Sequence, residues 1–190
     1  YYLTGYYTFE VSVHCCLVLA RQGSVLQVPS IETGPAQIGS RVDEVIGYRW
    51  EGVESVVEPL MDAVTGMTDG VPGTAGLDKW QAALRTGVAD ALRQRLDDWA
   101  FVDGGAVVDR ARIVKSPPEL EMLRASARIT RLGADAATDA VQAGATDNDV
   151  AAAAARAMLA AGSEFMSMQP IVTAGWRSSV NHTTHRRNVI

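Results

Sequence analysis

The apolar positions of this chain change rhythm after Gly105. Before it they fall in short, β-branched runs separated by helical stretches. Residues 9–20, FEVSVHCCLVLA, and 25–30, VLQVPS, are two such runs, and the intervening RQGS, with Gly23 suited to a tight turn, predicts a hairpin. Within it the run Cys15–Leu19 is expected to form the central strand. EVIGYRW (44–50) predicts a further strand. In GVESVVEPLMDAVTG (52–66), Val53, Val56, Val57, Leu60, Met61 and Val64 share one helical face, with Gly66 as the expected stop and Pro59 as a weak point in the helix. DGVPGTAGLD reads as a loop entering a brief strand. KWQAALRTGVADALRQRLDDW then reads as a second amphipathic helix along Trp80, Leu84, Val88, Leu92 and Leu96, and AFVDG as a strand. Strands alternating with helices make this part an α/β domain with a mixed sheet.

From Ser116 the pattern is helical and alanine-rich. Ser116 and Glu119 have the spacing of a capping box, and Pro117 and Pro118 occupy the first turn, where their missing N–H groups cost nothing. The helix is expected to run to Gly144. Thr146 and Asp149 offer a second cap, followed by a helix to Gly162. FMSMQPIVTAG then returns to extended structure, with Pro170 favouring an edge or a strand start. The domain boundary is expected between Asp109 and Lys115, dividing the chain into residues 1–112 and 113–190. The chain opens on Tyr1 in what reads as the interior of a fold, so its start is expected to be missing.

Composition narrows the function. With 47% hydrophobic and 21% charged residues the chain reads as globular, and a net charge of −5 argues against a nucleic-acid partner. No run approaches the roughly 20 apolar residues of a membrane span, and no charged leader precedes an apolar core, so the expected location is cytoplasmic. Cys15 and Cys16 are adjacent and cannot form a disulfide framework. There is no glycine-rich phosphate loop, and Ser178 and Ser179 lack a nucleophile-elbow setting. Asp135 and Asp139 share a helix face that reads as solvated, and His14 in its apolar strand reads as a buried, hydrogen-bonded residue. His182 and His185 are the better placed candidates, because they lie in a polar segment after an extended run, where scaffolds put reactive groups.

Four stretches resemble the creatinase, prolidase and aminopeptidase P family. Arg112, Lys115, Ser116, Glu119 and Arg124, with Ala125 and Ala127 one position off, resemble the family's R-x-x-K-S-x-x-E-x-x-x-x-R-x-A junction between its two domains. The run from Gly144 to Val150 is similar to its G-x-T-[DE]-x-[DE]-[VL] helix start, and PIVTAG to the strand that leads to an active-site histidine. YLTGY near the start resembles the opening of the family's N-terminal domain.

The resemblance implies a creatinase-like α/β N-terminal domain followed by the incomplete first part of an α+β pita-bread catalytic domain. It implies a metal-dependent Xaa-Pro peptidase, with His182 as the residue that binds substrate and donates to the transition state. Asn181 stands where the family often has proline; a shifted register would give the role to His185, which otherwise reads as a surface residue. The family's metal ligands lie farther along than this stretch, so the two divalent ions of Mn or Co type belong to the complete protein. None is expected to bind here, and the stretch alone is expected to be inactive. The implied partner is a small peptide, and the implied assembly a homodimer. Two alternatives stay open: a metal-free hydrolase of C–N bonds in small nitrogenous solutes, against whose creatinase form Val11 and Val13 count mildly, and a catalytically dead binding module. The chemistry is coherent, since an imidazole of ordinary pKa near 6.5 can donate a hydrogen bond or pass a proton at working pH.

Overall fold

The computed structural model describes residues 1–8, 13–80 and 84–190, which form two compact units, Tyr1–Ile113 and Val114–Ile190. The beginning of the first expected strand, residues 9–12 with Val11 among them, and residues 81–83 of the second expected helix lie outside the described residues.

In the first unit β1 (Cys16–Ala20) and β2 (Gly23–Pro29) form the predicted hairpin, Ala20 pairing with Gly23 across a two-residue turn. A short 3-10 turn and α1 (Thr33–Gly39) carry the chain over to β3 (Glu44–Tyr48), which pairs with β2 in parallel. The sheet order β1-β2-β3 is therefore mixed, and the middle strand is β2, not the run Cys15–Leu19. The reason lies in burial. On β2, Leu26 and Val28 face a core with Tyr6 and Ala36, while Gln27 points to the opposite face and donates from Nε2 to the Val56 carbonyl at 2.7 Å. A strand covered on both faces reads as continuously buried, as Val25 to Pro29 are.

On the Gln27 side lies α2 (Val53–Thr68), whose Val56, Val57 and Leu60 pack with Tyr48 and with Val88 and Leu92 of α3 (Thr86–Arg95). α2 runs through Pro59 and past Gly66, ending where Asp69 and Gly70 take positive φ. α3 is shorter than its apolar period suggests. Trp80 stays outside it and is 88% exposed, its backbone N–H turned onto the Asp78 carboxylate. β4 (Thr74–Leu77) and β5 (Ala100–Asp103) make a separate parallel pair. After them comes a helix absent from the sequence reading, α4 (Gly105–Ile113), none of whose residues is buried. With no apolar stripe it leaves no periodic trace; its one local signal is Asp103, whose carboxylate accepts from the Gly105 N–H.

His14 is buried as expected, stacked edge-on to Tyr48 at 5.7 Å, but its Nε2 has no hydrogen-bond partner among the described residues. Burial pulls its pKa below the usual value, the neighbouring Gln27 amide works upward, and the Arg85 charge pulls it down again. A histidine depressed on folding stabilises the fold above its unfolded pKa of 6.5, and this contribution is lost as pH falls through the folded value. Urea unfolding should therefore show the chain weakening as pH drops below about 6.5, with a shallower slope in His14→Gln. An unchanged slope would remove His14 from the account. Burial also pushes the Cys16 thiol up to about 12 and raises Cys15, so neither is a thiolate at neutral pH.

The second unit begins with α5 (Pro117–Asp139), whose capping box is made as expected: the Ser116 N–H and hydroxyl both reach Glu119 Oε2, at 2.8 and 2.6 Å. It ends before Gly144. α6 (Asp147–Ala160) packs against α5 at Gly133, where an added Cβ would lie 2.6 Å from Met158 Cγ, so the glycine lets the helices close. Asp135 and Asp139 are solvated as expected, the former paired with Arg131. Residues 165–174 are not helical, yet the expected strand does not form among the described residues. A strand needs a ladder partner, and the rest of this unit is helix and loop. No helix among the described residues is long and apolar enough to cross a membrane.

Candidate functional site

The loop that carries both histidines is built against the first turn of α6. Thr146 caps this helix, its hydroxyl accepting from the Asp149 N–H at 3.3 Å while the Asp149 carboxylate takes the Thr146 N–H at 2.9 Å. Between them Asp147 points into the unit and is fully buried. Its Oδ1 accepts from the backbone N–H groups of Arg186 (3.1 Å) and Asn188 (3.0 Å), and its Oδ2 from the Asn188 side-chain amide (2.9 Å). In return the Asp147 N–H donates to the Asn188 carbonyl at 2.9 Å. Asn148 adds a bond from the Arg187 N–H at 2.7 Å, and Val189 bridges to Thr146.

A buried carboxylate is costly unless its oxygens are satisfied. Burial alone would raise the pKa of Asp147, but the hydrogen bonds from the Asn188 side chain and from the backbone of Arg186, Asn188 and Arg187 outweigh it and hold the group below the usual carboxylate range. The position at the start of α6 also suits a negative charge.

Upstream, a short 3-10 turn over Gly175–Ser179 opens a second closure. Arg177 Nη2 donates to the Thr184 carbonyl at 2.8 Å, and the Thr183 hydroxyl to the Val180 carbonyl at 3.1 Å. His182 sits inside this closure, exposed, with φ of 61°. A non-glycine residue in the left-handed region is uncommon, though histidine is among those enriched there, and such backbone outliers cluster at functional sites. His185 differs from its expected surface setting. It is half-buried, with Nδ1 enclosed and without a partner among the described residues, because it directly precedes the segment that Asp147 draws inward.

The two histidines thus share a loop but not a setting, and among the described residues no three His, Cys, Asp or Glu side chains gather so as to hold a metal ion. The described side chains around the two histidines do not make such a group. They offer one exposed imidazole on a loop tied at both ends. Sequence reasoning found that imidazole but missed Asp147, Asn188 and Arg177, which tie the loop that carries it. The trace of Asp147 was that the first turn of α6 holds an acidic residue besides the capping Asp149.

Comparison with known proteins agrees with this layout. The model for the creatinase/prolidase N-terminal domain matches residues 1–114, and that for metallopeptidase family M24 matches residues 121–190. No curated protein matches this sequence. Among solved structures, an X-Pro aminopeptidase from Thermotoga maritima is 17% identical with a TM-score of 0.75, covering 93% of this chain and 46% of its own. A prolidase from Pyrococcus furiosus is 19% identical with a TM-score of 0.73, over 100% of this chain and 54% of its own. A dipeptidase from Mycobacterium ulcerans is 23% identical with a TM-score of 0.65, over 100% of this chain and 49% of its own. The chain spans about half the length of these structures. The shared fold is a creatinase-type N-terminal domain followed by the start of a pita-bread domain.

Proposed function

The chain belongs to the creatinase/prolidase family, and from that premise we propose that it is part of a metal-dependent hydrolase that cleaves peptide bonds next to proline. The observation that carries this reading is the exposed, backbone-strained His182, held on a tied loop in the segment that matches the M24 metallopeptidases. That the similar structures include an X-Pro aminopeptidase and a prolidase supports the substrate class.

In this reading residues 1–112 form the N-terminal domain and residues 113–190 open the catalytic one. His182 binds the substrate and donates a hydrogen bond as charge develops at the scissile amide. A donor fixed beforehand needs no reorganisation at that moment, which is where such groups lower a barrier. The two divalent ions, of Mn or Co type, would be held by other residues of the complete protein, which works as a cytoplasmic homodimer.

The complete protein should hydrolyse a dipeptide ending in proline, lose that activity on chelation and regain it with Mn or Co. Activity that survives thorough removal of metal would turn the assignment to a metal-free C–N hydrolase. No hydrolysis under any metal, with His182 replaceable at will, would leave a binding module.

A further inference from the structure

We propose that Asp147 is a positioning residue for His182, acting through the segment 186–188; the inference rests on the peptidase reading above. Asp147 is the one fully buried acid of its unit, and three donors converge on its carboxylate from two residues of a single segment. A surface loop does not need a buried carboxylate to end at a helix. One N-cap bond suffices, and Thr146 and Asp149 already provide it. Asp147 instead fixes the far end of the loop, while Arg177 closes the near side by holding the Thr184 carbonyl. Between these two ties the His185 Nδ1 is enclosed without a partner among the described residues, and His182 lies within the Arg177 closure with its backbone in the left-handed region. That conformation persists only if the surroundings over-determine it. Releasing the Asp147 tie frees Arg186 to Asn188, where Arg187 also holds a φ of 61°, and so loosens the anchored end of the loop that carries His182.

The geometry allows a specific rescue. In Asp147→Asn the remaining carbonyl oxygen can still accept the two backbone N–H groups, but its NH2 faces the NH2 of Asn188, and two donors meet. Adding Asn188→Asp restores that contact with its polarity reversed. In the complete protein, Asp147→Asn should lower kcat for a proline dipeptide on the order of 10- to 100-fold, as for a reacting group displaced by a fraction of its working geometry, with KM and metal content close to wild type. The double variant should recover most of kcat, a non-additivity expected only of groups in contact. Independently of turnover, Asp147→Asn should speed amide exchange at Arg186 and Asn188 and shift the His182 ring signals in NMR, while the amides of α5 stay protected.

Wild-type kcat in Asp147→Asn, or ring signals of His182 that do not move, would overturn the inference. So would a loss of kcat that the double variant leaves unrepaired, since that would make Asp147 a stabilising residue only. A silent His182→Ala is a different outcome: it contradicts the peptidase reading itself.

Discussion

Leu60→Ala should destabilise the N-terminal unit by about 2–5 kcal/mol, the range for truncating a buried leucine. Leu60 is 1% exposed and sits where α2 meets Tyr48 of the sheet and Val88 and Leu92 of α3. Its neighbour Pro59 already removes one hydrogen bond from the helix, so α2 relies on this contact more than a regular helix would. Total stabilities are only about 5–15 kcal/mol, so the loss should appear as a fall in urea midpoint and in Tm on the order of 10–20 °C. Val53→Ala, at a position 43% exposed on the same helix, should change little. A Leu60→Ala chain within about 1 kcal/mol of wild type would mean that the two helices are not closed on the sheet as described.

His182→Ala in the complete protein should lower kcat on the order of 100- to 1000-fold, about 2.7–4 kcal/mol, the cost of losing one transition-state donor. A bond that strengthens only as charge develops is missed in kcat more than in KM. Alanine is uncomfortable at φ of 61°, so part of a loss could come from the backbone. His182→Gly separates the two causes: it relieves the backbone and should lose as much kcat. His185→Ala should stay near wild type, and metal content should be unchanged in all three. A His182→Ala enzyme stripped of metal would make this histidine a ligand.

Local chemistry was legible in the sequence wherever one residue type has one local task. Ser116 with Glu119 and Thr146 with Asp149 announced the starts of α5 and α6, and both boxes are made. The hairpin and the helical face of Val56, Val57 and Leu60 were legible for the same reason. What escaped was decided by distant neighbours. β2 became the middle strand because β3 returns beside it from across α1, and no property of residues 16–20 could say so. α4 buries nothing and so carries no apolar period. Residues 165–174 are extended in pattern, but a strand forms only with a partner. At the candidate site His182 was found through its resemblance to a motif, whereas Asp147 reads in the sequence as one more acid in a first turn. Its burial, and the partners 39 and 41 positions away, emerge only in the fold.

The central claim is the reaction, and the most direct measurement is a comparison of substrates by the complete, Mn-loaded protein. We expect kcat/KM for an Xaa-Pro dipeptide to exceed that for the matching Xaa-Ala dipeptide by orders of magnitude, with no turnover of a guanidino compound such as creatine. Turnover of the guanidino compound with no preference for proline would contradict the account.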